Sequence, residues 1–183
     1  MNNTWKLVLI IVAGILAVVI LCVFSIQGSQ NTAFDLEEQV STAKSDINIQ
    51  EKRRADLIPN LVDCVKQYDE HEYQTLMDVI AQRGTSSDAA VAEVQTMVAA
   101  VTEAYPELKS NENYKQLMNE LSITENLIAQ YRENYNKQIK EYNRYVRKFP
   151  TRIYLSWLGY EVIEFEYLEF DNVSSDAPTN LFD

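Results

Sequence analysis

The sequence predicts an all-α protein: one N-terminal transmembrane helix, then a bundle of long helices and an acidic, partly extended C-terminal segment. Residues 7–26 are an unbroken apolar run. Apolar side chains then recur every three or four residues, the spacing of one helix face. Only 4 Gly and 4 Pro occur in 183 residues, which is few for a loop-rich or all-β protein.

The apolar run at residues 7–26 is softened only by Gly14 and Ser25. About 20 residues of helix rise about 30 Å, which is the thickness of the hydrocarbon core of a bilayer. The run is longer than the core of a signal peptide and lacks a small-x-small cleavage site, so we expect an uncleaved anchor. Trp5 and Lys6 suit the membrane interface at its start.

The charges beside the span predict its orientation. Lys6 precedes the span, and the next basic residue is Lys44. Positive-inside counting therefore predicts a cytoplasmic N-terminus and an extracytoplasmic bulk domain, with a cytoplasmic domain as the alternative.

The remaining sequence divides by composition. We expect a short tail at 1–6, a polar spacer at 27–33, a helical bundle at 34–150 and an acidic segment at 151–183 that packs on the bundle and frays at its end. The formal net charge of −11 opposes nucleic-acid binding, which needs clustered Lys and Arg.

The helices of the bundle are predicted from periodicity and breakers. A first helix runs from 34 to about 54, and Pro59 starts a second helix or, less favoured, kinks one very long helix. A turn at 84–87 precedes a third helix, 89 to about 104. The fourth helix, 113–148, has the clearest apolar seam.

That seam fixes the expected core face of the fourth helix. It consists of Tyr114, Leu117, Leu121, Thr124, Ile128, Tyr131, Tyr135, Ile139, Tyr142, Val146 and Phe149. Ser110 or Asn111 can cap the start of the helix, and Pro150 ends it. Beyond Pro150, glutamates alternate loosely with apolar residues, so we expect aromatic side chains that pack on the bundle and acids that face water.

Several ordered motifs resemble the LemA family. They are residues 47–62 (INIQEKRRADLIPNLV), Tyr68-x-x-His-Glu-x-x-Thr-Leu76, residues 104–114 (AYPELKSNENY), Leu121-x-x-Thr-Glu-Asn126, Arg132-x-x-Tyr-Asn136, Tyr142-Asn143 and Phe149-Pro150. The resemblance implies an antiparallel up-and-down four-helix bundle with long helices, behind one transmembrane helix in a bacterial cell membrane. It implies no agreed biochemical activity, and the segment after Pro150 is more acidic here than the family pattern.

The sequence predicts no catalytic residue, no metal and no cofactor. A zincin needs a second histidine one turn from His71-Glu72, and His71 is the one histidine of the chain. A di-iron bundle site fails for the same reason. We expect His71 to be packed or hydrogen-bonded on its helix. We expect Cys64 to be a buried structural thiol rather than a nucleophile.

Ten polar residues form a predicted structural network between helices. They are Arg53, Arg54, Asp56, Asn60, His71, Glu72, Glu125, Arg132, Asn136 and Asn143. Buried asparagines or ion pairs of this kind can fix helix register. The alternatives are a solvated helix face and, less favoured, a ligand pocket built from the same residues.

The most favoured function is therefore a single-pass membrane-anchored helical module without catalysis. It would contact the lipid bilayer through residues 7–26 and serve as a scaffold or adaptor for other membrane or envelope proteins. One alternative is a self-assembling, homo-oligomeric protein that shapes the membrane or envelope. Another is a small-molecule sensor or enzyme with an unrecognised polar pocket.

Overall fold

The computed structural model describes residues 3–84 and 88–168, and this part of the chain is helical with no strand. The helices are α1 (Asn3–Asp63), α2 (Glu70–Arg83), α3 (Asp88–Ala104), α4 (Pro106–Ser110), α5 (Glu112–Arg147) and α6 (Thr151–Trp157). The predicted turn at Thr85–Ser87 and the predicted frayed end beyond Leu168 lie outside the described residues.

Helix α1 is one continuous helix, so the predicted spacer at 27–33 and the predicted helix start at Pro59 are wrong as helix boundaries. In the spacer, the hydroxyl groups of Ser29 and Thr32 donate to carbonyl oxygens four residues earlier, each at 2.9 Å. Polar side chains satisfied in this way leave the helix intact. Pro59 lies inside the helix among buried neighbours, whose packing offsets the cost of the missing amide proton.

The N-terminal part of α1 carries a stretch that is long and apolar enough to cross a membrane, and none of its most apolar window is buried. Exposed side chains of this kind include Ile10, Ile15 and Leu21. A lone helix with a bare apolar surface is unfavourable in water and favourable in lipid.

The chain forms two compact units. Unit 1 contains residues 1–40 and 135–183, and unit 2 contains residues 41–134. Unit 2 has one hydrophobic core to which α1, α2, α3, α4 and α5 all contribute. Its buried members are Ile58, Leu61, Val62, Val65, Leu76, Val91, Val94, Val98, Val101, Leu108, Tyr114 and Leu121.

Helix α2 is shorter than predicted and begins at Glu70 rather than Pro59. The chain turns between the end of α1 and Asp69, where the side chain of Asp69 caps α2 by accepting from the amide of Glu72 at 3.0 Å. Tyr105 also donates its hydroxyl proton to the other carboxylate oxygen of Asp69 at 3.0 Å. Both hydrogen bonds lower the pKa of Asp69, the backbone bond more than the tyrosine. Gly84 ends α2 at a φ of 72°, a backbone region that favours glycine.

Helix α5 agrees with its prediction to within one residue at each end. Asn111 caps it, since its side-chain oxygen accepts from the amides of Asn113 at 2.9 Å and Tyr114 at 3.2 Å. Most of the predicted seam is buried, and Phe149 beyond the helix is exposed.

Unit 1 is built around aromatic side chains. Tyr142 of α5 packs edge-on against Phe165 with ring centroids 5.1 Å apart, and its hydroxyl accepts from the amide of Ile163 at 2.9 Å. Tyr160 packs against Phe34 of α1 at 5.6 Å. The extended residues after α6 are thereby held against α1 and α5, while the glutamates among them are exposed.

Candidate functional site

The most distinctive polar site of unit 2 is a set of five charged side chains on α1, α3 and α5. We call Glu51, Arg54, Asp88, Glu125 and Arg132 the arginine cluster. Arg54 lies at its centre with a side chain only 1% exposed. A guanidinium group buried in this way is stable only beside anions, because removing its charge from water is costly.

Two carboxylates from other helices surround the buried guanidinium. Nη1 of Arg54 donates to Oδ1 of Asp88 at 2.7 Å and, at 3.4 Å, to Oε2 of Glu125. The side chain of Asp88 is 56% exposed, whereas that of Glu125 is 34% exposed. The cluster therefore reaches from the interior of unit 2 to its surface.

Arg132 completes the cluster by joining all three helices. Its Nη1 donates to Oδ2 of Asp88 at 2.7 Å, and its Nη2 donates to Oε1 of Glu51 at 2.9 Å. The same Nη2 also donates to Oδ1 of Asp88 at 3.3 Å, so Arg132 binds both carboxylate oxygens and Oδ1 is shared with Arg54. Planar guanidinium groups suit such paired contacts better than an ammonium group does.

The two arginines control the ionisation of Asp88. The hydrogen bond from Arg132 is the largest cause that lowers the pKa of Asp88, and the hydrogen bond from Arg54 also lowers it, against partial burial. In turn, Asp88 raises the pKa of Arg132. Asp88 is consequently a fixed anion at neutral pH rather than a proton donor.

One carboxylate oxygen of the cluster has no donor among the described residues. This oxygen is Oε1 of Glu125, and it is buried. Among residues 3–84 and 88–168, no group of three or more His, Cys, Asp and Glu side chains could hold a metal ion.

The other predicted polar residues of α1 lie outside the cluster. Arg53 is exposed and faces Glu120 of α5 at 3.6 Å. The side-chain amide of Asn60 donates to the backbone oxygen of Asp56 at 2.9 Å, within the same helix. Asp56 and Asn60 are exposed.

His71 and Glu72 occupy the first turn of α2. His71 is exposed, so the structure contradicts the packed alternative of its prediction, and the hydrogen-bonded alternative stays a prediction. The physical reason is the position of the helix start: α2 begins only at Glu70, and its first buried residue is Leu76. Glu72 contributes its backbone amide to the Asp69 cap.

The two predicted asparagines lie in unit 1. Asn136 forms a pair of hydrogen bonds with the backbone of Leu168, donating to its oxygen at 2.8 Å and accepting from its amide at 2.9 Å. Asn136 therefore holds the C-terminal segment against α5. Asn143 is half-buried.

A second polar set in unit 1 links α1, α5 and the C-terminal segment through tyrosine hydroxyl groups. Tyr160 donates to Glu37, and its oxygen lies 3.1 Å from that of Tyr142. Burial is the main cause that raises the pKa of Tyr160, followed by its hydrogen bond to Glu37. The hydroxyl group of Tyr160 therefore keeps its proton at neutral pH. Its contacts with Glu37 and Tyr142 join α1, α5 and the C-terminal segment.

Sequence reasoning missed Glu51, Asp88, Glu37 and Tyr160. Glu51 precedes Arg54 by three residues and so shares its helix face, a signal that could have been used. Asp88 directly precedes the predicted third helix. Its contact with α5 depends on how α3 packs, which residue spacing does not encode.

Comparison with known proteins identifies the family to which the sequence motifs belong. The model of the LemA family matches residues 43–182. The chain belongs to the LemA family. A relative, Protein LemA of Metamycoplasma hominis, is 26% identical over 163 residues, which cover 82% of this chain and 74% of that protein.

The LemA match contains the whole arginine cluster and begins within α1, after the apolar run. The apolar helix and the LemA relative together are consistent with anchoring in a membrane. Neither the LemA name nor the geometry of the cluster specifies a substrate, and the cluster contains no cysteine, serine or histidine.

Proposed function

We propose that this LemA-family protein is a single-pass, membrane-anchored scaffold or adaptor that presents a helical bundle to other membrane or envelope proteins. The observation that carries the proposal is α1. The helix that carries the bare apolar run extends to Asp63 and contributes Ile58 and Leu61 to the core of unit 2. One helix thus serves both as anchor and as part of the folded domain.

The proposed arrangement is an antiparallel four-helix bundle of α1, α2, α3 and α5. Contacts within unit 2 support it, because Glu51 of α1 meets Arg132 of α5, and the later Arg54 meets the earlier Glu125. An opposite order of contacts is what two antiparallel helices produce. The core shared by the four helices also supports the proposal.

The proposed role is not enzymatic, and the environment of Cys64 supports this. Burial, followed by the charge of Asp63, raises the pKa of the Cys64 thiol. The thiol donates to the backbone oxygen of Asn60 at 3.5 Å. Activated cysteines have the opposite property, a lowered pKa, since the thiolate is the nucleophile.

The proposed location of the domain is extracytoplasmic. Lys6 stands before the span, and the first basic residue after it is Lys44, so the charge bias favours a cytoplasmic N-terminus. A membrane-impermeant maleimide tests this on a Cys22→Ser, Cys64→Ser chain with a new cysteine at the exposed Ser122. We expect labelling in intact cells. Labelling only after lysis would place the domain in the cytoplasm.

The adaptor role is tested by photo-crosslinking in living cells followed by purification from detergent-solubilised membranes. Ile49 and Ile123 are apolar residues of unit 2 that remain 58% and 46% exposed. A crosslinking residue at either position should yield a reproducible heterologous product. The same residue at the exposed Lys66 provides a matched control in the same unit. A product of twice the chain mass would instead indicate self-assembly, and no product at any position would contradict the proposal.

A further inference from the structure

The end of α5 lies beside the end of the apolar run. Within unit 1, the hydroxyl group of Tyr145 donates to the backbone oxygen of Ser29 at 3.3 Å. Ser29 follows the last apolar residue of the run, Ile26, by three positions. A cavity of about 350 Å³ beside this contact is lined by Thr32, Leu36, Glu141, Arg144, Tyr145 and Lys148.

The direction of α5 carries its end toward the bilayer. Tyr145 lies opposite Ser29, while the earlier Tyr142 is linked through Tyr160 to the later Glu37. Advancing along α5 therefore means moving back along α1, toward the span. Because α5 ends at Arg147, the residues that follow lie at the level where the span leaves the membrane.

Large apolar side chains are exposed in the residues that follow α5. Phe149 is 82% exposed and Trp157 is 71% exposed, although both are costly to leave in water. In α6, Thr151 and Leu155 are buried, whereas Ile153 and Trp157, one turn apart, share an outward face. Amphipathic segments with an aromatic apolar face are typical of membrane interfaces.

Positive charge accompanies these apolar residues. Arg144, Arg147, Lys148 and Arg152 are all exposed within nine consecutive positions of a chain whose net charge is −11. The exposed glutamates of the C-terminal segment lie further from the span, since Ile163 contacts Tyr142 and Leu168 contacts Asn136. This basic end of unit 1 thus lies beside the end of the apolar run, and Glu141 is the one acid among the described residues that line the cavity.

We propose that residues 144–157 form an interfacial collar that docks on the surface of an anionic bilayer. Phe149, Ile153 and Trp157 enter the interface, and the four basic side chains contact lipid phosphates. The chain has 2 tryptophans, Trp5 and Trp157, and the collar would place one at each side of the membrane. The collar rests on the proposed membrane anchor and adds a second, reversible contact to it.

The test uses the full chain in nanodiscs, with tryptophan emission as the readout. Trp5→Phe leaves Trp157 as the one tryptophan, and Trp157→Phe leaves Trp5, and excitation at the red edge of the tryptophan band avoids emission from the 11 tyrosines. In phosphatidylglycerol discs with brominated acyl chains, we expect roughly twofold lower emission from Trp157 than with unbrominated lipid, since interfacial indoles lie close to the upper acyl chain. Phosphatidylcholine discs should give weaker quenching.

Charge variants separate lipid docking from simple proximity. Glutamine at Arg144, Arg147, Lys148 and Arg152 should restore most of the Trp157 emission. The matched control makes the same change to glutamine at four exposed lysines elsewhere and should leave the quenching of Trp157 unchanged. These lysines are Lys44, Lys52, Lys109 and Lys115. In the chain with the unmodified collar, about 0.5 M salt should also weaken the quenching of Trp157, because salt screens the attraction between the basic side chains and the lipid phosphates. Far-ultraviolet circular dichroism verifies that each variant is folded.

The outcomes distinguish the collar from the anchor. Quenching of Trp5 without quenching of Trp157 would overturn the collar and leave the anchor standing. Quenching of neither tryptophan would overturn both. Equal quenching of Trp157 in both lipids, insensitive to the basic residues, would overturn the role of lipid phosphate.

Discussion

At the scale of single residues, Arg54 is a charged side chain buried inside unit 2. Its guanidinium group is paired with Asp88 and Glu125, which come from two other helices. A buried charge restricts the ways in which helices can pack, because any register that separates it from its partners leaves it uncompensated. Arg54 therefore selects one arrangement of α1, α3 and α5.

Replacing Arg54 with methionine should destabilise the protein. The apolar stem is kept, but Asp88 and Glu125 lose their common partner. Because both carboxylates remain partly exposed to water, we expect a loss of about 2 kcal/mol, below the range for a fully buried ion pair. Denaturant unfolding of the full chain in detergent micelles measures this loss.

Arg53→Met is the matched control for that experiment. Arg53 is the preceding residue, is exposed, and pairs with Glu120 at 3.6 Å. An exposed pair contributes less than about 1 kcal/mol, so this change should be nearly silent. Equal losses for both variants would show that the arginine cluster does not stabilise unit 2.

Asp88 should make stability depend on pH in the acid range. The pKa of Asp88 in the folded protein is lowered by Arg132 and Arg54. Its contribution to the free energy of unfolding is therefore complete above the ordinary aspartate pKa of about 3.9. This contribution is lost as the pH falls through the lower pKa that Asp88 has in the folded protein. Asp88→Asn should flatten this part of the profile of unfolding free energy against pH. An unchanged acid slope would contradict the assignment.

Part of the candidate site was predictable from the sequence. Arg54, Glu125 and Arg132 were expected in an interhelical network, and the structure brings them together. Asp88, their common neighbour, was not foreseen, because it begins a helix whose position is set by long-range packing. The expected packing of His71 is wrong because the predicted second helix began at Pro59, eleven residues before α2 begins at Glu70.

At the scale of elements, the continuity of α1 is the main departure from expectation. Local signals predicted breaks at the polar spacer and at Pro59, and both signals are real: Gly28 and Pro59 are poor helix residues. The helix persists because Ser29 and Thr32 bond within it and Ile58 is fully buried beside Pro59. Here tertiary burial and hydrogen bonds within the helix outweigh the low helix propensity of Gly28 and Pro59. The periodicity of the sequence does not show how strongly a residue is buried.

Helix α5 shows the opposite case, in which the sequence was sufficient. Its seam is long, its cap is an asparagine, and Pro150 follows its end. All three signals indicate the same boundaries, so the prediction held to within one residue. The short helix α6 was not predicted, because a helix of 7 residues is too brief for a clear period.

The cap of α5 can be tested directly. Asn111→Ala removes the oxygen that accepts from the amides of Asn113 and Tyr114. We expect the free energy of unfolding to fall by about 1 kcal/mol. Asn111→Ser retains a capping oxygen and should lose clearly less. Unfolding curves of the two variants and the parent chain, recorded by circular dichroism, give the comparison.

At the scale of the whole molecule, this LemA-family chain contains one helix, α1, whose two parts differ in their packing. The apolar part of α1 has no protein partner among the described residues, whereas the remainder of the same helix packs in both units. Under the proposed anchoring, lipid buries the first part and protein buries the second, which is the same hydrophobic effect acting in two solvents. Attachment and folding are therefore separable by mutation.

Two charges in the span should detach the protein without unfolding it. Val12 and Val19 lie seven positions apart on an exposed face of α1, and lysine at the centre of a span costs about 2.5 to 3.5 kcal/mol per residue. We expect Val12→Lys, Val19→Lys chains to leave the membrane pellet on carbonate extraction, while Val12→Leu, Val19→Leu chains remain. The arginine cluster and the core of unit 2 lie outside the altered stretch, so the released chain should keep its helical circular dichroism. A doubly charged chain that still resists extraction would show that α1 is not what holds the protein to the membrane.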